Sequence, residues 1–205
     1  SEWDRYLYAL MYGSYEEAVN IYEDLADGKR VEDIYTDIIS NGMKEIKALY
    51  QENKITLAEL YLAASFTREI LYTKLNSYTT KQNSKGKIAL AVTGNQEDVL
   101  HSQIDAAMLK TNGWDVYNFE HPLPDDALYE ALTRRNISII GLSVTDKANL
   151  HKLQQTAMFL KHHMPGLFVI VSGSWLPEEA REWGDLFVND AAEMVRELDR
   201  LPHEH

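Results

Sequence analysis

The chain has 205 residues, 45% of them hydrophobic, with 20 basic against 32 acidic side chains and a formal charge of -12. That size and apolar content suffice for one large core or two small ones, whereas the acidic balance argues against direct nucleic-acid binding, which needs a basic patch. The absence of cysteine excludes disulfides, iron–sulfur clusters and thiolate zinc sites.

No apolar run approaches the roughly 18 residues of a membrane span, and no charged-then-apolar leader is visible. A cytoplasmic protein is expected. A chain that opens at Ser1 leaves room for a preceding partner domain.

The first eighty residues read as helices. Trp3, Tyr6, Leu7, Leu10 and Met11 recur at helical spacing, with Gly13 as a stop. Ser14 and Glu17 have the capping-box spacing and open a helix through Ala18, Ile21, Tyr22 and Leu25, ended by Gly28. A long amphipathic stripe runs from Val31 through Ile34, Ile38, Met43 and Ile46 to Tyr50. A polar break, Gln51 to Lys54, leads to Thr56 as an N-cap and a helix to about Leu75. Four helices with short loops predict a bundle. The polar block Asn76 to Lys87 lacks periodicity and reads as a linker.

Beyond it, β-rich runs alternate with helical segments. The strands are predicted at Ile88–Val92, Trp114–Phe119, Ile137–Ser143, Leu167–Val171 and Leu186–Val188. Helices are predicted at Asp98–Asn112, Asp125–Arg135, Lys147–His163 and Asn189–Leu201, with a shorter turn or helix near Pro177–Trp183. Such alternation implies a parallel sheet with right-handed crossovers. The expected fold is α/β: residues 1–80 form a four-helix bundle, and residues 81–205 a flavodoxin-like, doubly wound, five-stranded parallel sheet.

The densest signal is Lys87 to His101, where an apolar run ends in Thr93-Gly94-Asn95 and a helical pattern starts within a few residues. In open α/β sheets, ligands sit outside the carboxyl ends of the strands. Thr93-Gly94-Asn95 has too few glycines for a dinucleotide fingerprint or a P-loop. His162-His163 falls at a helix end, where imidazole favours the negative dipole, and the acidic pairs Glu16-Glu17, Asp125-Asp126 and Glu178-Glu179 fall at helix starts. His151 lies early in its helix, and no nucleophile–base–orienter set can be named.

Gly113-Trp114-Asp115-Val116, Ile140 to Thr145, Val169 to Gly173 and Asp185 to Ala191, in this order after a helical bundle containing Ile34-Tyr35 and Lys54 to Glu59, resemble the cobalamin-binding modules of methionine synthases, corrinoid methyl carriers and cobalamin-dependent photoreceptor regulators. The resemblance covers nearly the whole chain. It implies a loop of the pattern Asp-x-His-x-x-Gly, whose histidine coordinates cobalt and whose aspartate polarises it.

Here the matching residues run from Gln96 to His101, with Asp98 in the histidine's place. His101 is either a relocated ligand, one helical turn further on, or an ordinary polar residue in the first turn of a helix. The resemblance also places Tyr50 and Leu60-Tyr61 where photoreceptor members carry a tryptophan and a Glu-His pair. Tyr50 and Tyr61 could pack on a flat macrocycle or belong to the core. At the tail-binding end, Ser143, Thr145 and Gly173 match in type, while Ser172 replaces a glycine and narrows the slot. Alternatively these are strand-end turn residues.

Three readings follow. The first is a non-enzymatic sensor or regulatory module holding a tetrapyrrole without the usual histidine ligation. That tetrapyrrole is cobalamin, haem or a bilin, seated between Tyr50/Tyr61 and the Thr93–His101 loop, and the module acts through a signalling protein or domain. The second is a cofactor-free interaction scaffold. The third is a corrinoid carrier for methyl transfer with His101 as displaced ligand. Self-association is left open.

Overall fold

The computed structural model describes residues 1–75, 85–94, 99–144 and 146–201. The chain falls into two compact units, 1–78 and 79–205. Among the described residues no helix is long and apolar enough to cross a membrane.

Among its described residues the first unit consists of helices joined by short turns. Helix α1 (Glu2–Tyr12) starts on a reciprocal capping box between Ser1 and Asp4. Helix α2 (Tyr15–Ala26) starts on Ser14, whose hydroxyl accepts from the Glu17 amide. Each cap satisfies an amide the helix leaves unpaired.

The predicted stripe from Val31 to Tyr50 forms one rod with an irregular middle. It runs as α3 (Val31–Asp33), a π-helical segment Ile34–Ser40 and α4 (Asn41–Gln51). The i→i+5 bonding of a π segment widens the turn, and the adjacent pairs Ile34-Tyr35 and Ile38-Ile39 are all buried there. After the turn at Asn53 (φ 60°), α5 (Leu57–Ile70) opens on a full Thr56–Glu59 capping box and passes into a second π segment, Leu71–Leu75. The α1, α2, α4 and α5 rods pack on one another. Tyr6, Leu10, Ile38, Ile39, Ile46, Ile70 and Leu75 are wholly or almost wholly buried.

The second unit alternates strand and helix. Its order is β1 (Lys87–Thr93), α6 (Val99–Thr111), β2 (Asp115–Asn118), α7 (Asp125–Arg134), β3 (Ile139–Val144), α8 (Leu150–His163), β4 (Phe168–Ser172), β5 (Leu186–Val188) and α9 (Ala191–Arg200). A 3-10 turn, Lys147–Asn149, precedes α8, and another, Glu178–Glu182, fills the predicted short turn or helix.

All five strands are parallel in the order β2-β1-β3-β4-β5, the flavodoxin-like order expected from the alternation. The polar block read as a linker through Lys87 ends earlier. Lys87 is the first residue of β1, and its ammonium donates to the Arg135 carbonyl; residues 76–84 of that block lie outside the described residues.

Strand β1 is buried throughout except at Lys87, as a strand covered on both faces must be. Ala89 and Ala91 pack with Leu128, Leu132, Leu153 and Leu160 under α7 and α8. On the other face, Ile88 and Leu90 pack with Leu109, Met194 and Leu198 under α6 and α9. The connections therefore leave β1 and β3 toward opposite faces, and the crevice of an open sheet lies between their carboxyl ends.

Two positions carry stability consequences. The Tyr6 hydroxyl is buried without a partner among the described residues, and burial pushes its phenol well above the usual range. An unsatisfied buried hydroxyl costs about 1–3 kcal/mol, so Tyr6→Phe is expected to raise stability by about 1 kcal/mol in urea unfolding; a loss would show that the hydroxyl is satisfied.

At the end of β1, Gly94 has φ 107°. A side chain there would run into Asn149, whose Cγ lies 2.6 Å from where a Cβ would stand. Gly94→Ala is expected to lower stability by about 2 kcal/mol or more, from left-handed strain and the clash together. Adding Asn149→Ala should restore only part of it, because the strain remains and so does the Asn149 Cβ, 2.8 Å from the added Cβ; full recovery in the same urea titration would contradict that assignment.

Candidate functional site

The carboxyl edge of the sheet gathers most of the site residues expected in the second unit. Val92, Ser143, Ser172 and Val188 stand side by side in register across β1, β3, β4 and β5. Side chains in register share a face, and Val188 packs on the α6/α9 side. Ser143 and Ser172 therefore form an adjacent pair of hydroxyl-bearing residues there, with Ser172 buried and Ser143 half-buried. Two residues further in, Gly141 leaves bare backbone, but Leu90 and Met194 close over it: a Cβ there would lie 2.9 Å from Leu90 Cδ2 and 3.2 Å from Met194 Cε. The floor beneath the serine pair is filled by side chains, one of them an adaptable methionine.

Several matching residues also have local structural roles. Thr93 is buried, and its hydroxyl donates to the Ser143 carbonyl at 3.2 Å, tying β1 to β3. Gly94 makes the turn described above. Gly173 admits Leu176, whose Cγ would lie 2.9 Å from a Cβ at that position. Asp98, in the histidine's place, lies outside the described residues, as do Gln96, Glu97 and Thr145.

His101 sits in the first turn of α6. Its side chain is 45% exposed, and its Nε2 lies 3.4 Å from Oδ2 of Asp105, whose side chain is only 11% exposed. An imidazole with a carboxylate behind it has the arrangement of a metal-ligating histidine and its supporting acid; it is equally an i,i+4 pair on a helix face. Among the described residues, no group of three or more histidine or acidic side chains stands together as a metal site.

Residues not singled out from the sequence fix this end of α6. Asn118 donates to the Ser102 hydroxyl at 3.4 Å, and the Glu120 amide donates to the Asn118 side-chain oxygen at 3.2 Å. Gln103 in turn donates to the Glu120 carboxylate at 3.3 Å. Glu120 itself has φ 63°, a conformation that non-glycine residues seldom adopt. This network ties the start of α6 to the segment after β2. Asp105 was legible as the residue four positions after His101. Asn118 and Glu120 were not, because a parallel crossover brings them to α6 from beyond its far end.

In the first unit, Tyr50 near the end of α4 is 37% exposed, and Tyr61 in α5 is 54% exposed, so neither ring is core. Leu60 is half-buried. His162 and His163 occupy the last turn of α8, where His163 stacks on Phe159 with ring centroids 4.0 Å apart. His151 is exposed near the start of that helix. The acidic pairs sit in first turns, where they complement helix dipoles.

Comparison with known proteins bears on the whole chain. Two family models, each described as a B12 binding domain, match residues 2–73 and 86–199. No curated protein matches.

Among solved structures, the monomethylamine corrinoid protein of Methanosarcina barkeri is 15% identical, with a TM-score of 0.81 over 98% of this chain and 98% of that one. A chain of the methanol:cobalamin methyltransferase complex of the same organism is 21% identical, with a TM-score of 0.50 over 97% of this chain and 78% of that one. A cobalamin-binding protein of Desulfitobacterium hafniense DCB-2 is 17% identical, with a TM-score of 0.51 over 97% of both chains. With its helical unit and its parallel α/β unit each matched in turn, the chain belongs to the B12-binding domain family.

Proposed function

We propose that the protein holds a corrinoid and presents it to a partner enzyme as a methyl carrier, with His101 as the cobalt ligand and Asp105 as its supporting acid. The observation that carries this reading is the His101–Asp105 pair at the head of α6. In sequence it lies three residues beyond the position at which the family's histidine is expected, and its chemistry fits the group: an imidazole nitrogen suits cobalt, and a carboxylate beside it orients the ring.

Ser143 and Ser172 offer hydroxyls to the polar groups of a nucleotide tail, and Met194 is the side chain that must yield if the tail goes deeper than Ser143. When bound, the corrinoid would supply a cobalt centre able to accept and release a methyl group. The chain's own residues hold and orient it, and the chemistry of donor and acceptor belongs to the partner. The matched family favours a corrinoid over the haem or bilin considered from the sequence.

A second reading, a sensor or regulatory module that binds cobalamin without a protein ligand and acts through a signalling partner, is favoured by one feature. Asp98 stands where the histidine is expected, and His101 has an ordinary helical partner.

Titrating the purified protein with hydroxocobalamin and following the visible spectrum tests both. Saturable binding is expected, with a spectrum that changes in His101→Ala and keeps its shape in the control His151→Ala. An identical spectrum in wild type and His101→Ala would remove the ligand assignment and leave the second reading. No binding at all would remove both.

A further inference from the structure

The opposite face of the sheet holds a cavity that the corrinoid reading does not use. It has a volume of about 480 Å³ and lies where β1 ends, under α7 and α8. That size falls within the roughly 300–1,000 Å³ of small-molecule sites. Its apolar wall comes from Ala91, Leu123 and Leu128. Its polar groups are Thr93, Thr156, Asn149 and Lys152, and their hydrogen-bond commitments define what can enter.

Both hydroxyls have already donated their protons. Thr93 donates to the Ser143 carbonyl, and Thr156 donates to the Asp125 carboxylate at 2.7 Å. The Asn149 amide and the Lys152 ammonium remain as donors. Asn149 makes no side-chain hydrogen bond among the described residues, and Lys152 has only a loose ion pair, 3.9 Å from Asp125 Oδ1. Asp125 does not depend on that lysine, because it also accepts from Thr156 and sits in the first turn of α7, where the helix dipole stabilises its charge. The cavity thus combines an apolar wall with two available donors, one of them cationic, at a single edge.

We propose that this cavity is a binding site for a small apolar monocarboxylate, its carboxylate held by Lys152 and Asn149 and its hydrocarbon body against Leu123 and Leu128. A dianion such as a phosphate ester fits less well, with one cation present and Asp125 beside it. A neutral hydrocarbon would leave both donors unused. The ligand would touch Thr93 and Gly94, where β1 ends.

The test is a two-dimensional ¹H–¹⁵N NMR titration of the uniformly labelled chain with sodium hexanoate, without any corrinoid, so its result is independent of the function proposed above. Saturable shifts are expected at Leu123, Leu128, Asn149 and Lys152, with a dissociation constant in the range of about 1 mM. Lys152→Met should weaken binding about tenfold or more and Lys152→Arg much less, and the neutral hexanamide should bind about tenfold more weakly than hexanoate. A wild-type-like spectrum of each free variant establishes that it is folded. The proposal is overturned by the absence of saturation up to about 20 mM hexanoate. It is equally overturned by shifts confined to the groove of Asp4 and Arg5 between α1 and α2, or by equal binding of hexanoate to wild type and Lys152→Met.

Discussion

The parallel pairing of β1 with β2 on one side and with β3 on the other is the constraint from which the second unit follows. A right-handed crossover from β1 to β2 puts α6 on one face, and the reversal of direction toward β3 puts α7 and α8 on the other. Strand β1 is then covered on both sides and must be apolar at every position between its ends, as Ile88 to Val92 are. The same reversal sets α6 and α8 on opposite faces, and at the edge of Thr93, Ser143 and Ser172 polar residues end an otherwise apolar sheet. Site and core are two results of one topology.

Much of this was legible in the sequence because it rests on local patterns. The alternation of β-rich runs with amphipathic stretches fixed the number of strands and the likeness to flavodoxin-type order. Ser14 and Thr56 announced helix starts that the structure realises as side-chain caps. What the pattern missed were departures from regular geometry. The stripe from Val31 to Tyr50 reads as one α-helix, yet its Ile34–Ser40 segment is π-helical. Buried neighbours at 34-35 and 38-39 fit a regular helix nearly as well as a widened turn, so periodicity alone does not separate them.

The candidate site was less legible for a different reason. Thr93, Gly94 and Gly173 match the corrinoid-binding pattern in type, but each also serves the fold. Thr93 makes a strand-to-strand hydrogen bond, Gly94 a left-handed turn, and Gly173 leaves room for Leu176. Residue type at a strand end therefore cannot by itself separate a binding role from a folding role. The partners that would separate them, Asn149 over Gly94 and Asp105 behind His101, come from a distant helix or from the next turn. Only the second is readable as a spacing. A match of residues to a motif gains weight where a side chain has more hydrogen-bonding capacity than the fold consumes. Asn149 and Lys152 keep donors that the fold does not consume, whereas the Thr93 hydroxyl spends its one proton on the Ser143 carbonyl.

That distinction also orders the two faces of the sheet. On the α6/α9 side, the floor below Ser143 is filled by Leu90 and Met194, so a ligand that enters there must displace packed methyl groups. On the α7/α8 side, the wall of Ala91 and Leu128 already bounds open volume. Residues 92 to 94 border both: Val92 lies in the register row with Ser143, and Thr93 and Gly94 line the cavity behind. These three residues are thus shared by the two faces at the end of a buried strand. Because Gly94 is held in a left-handed conformation against Asn149, the backbone there has little freedom to adjust to one side alone.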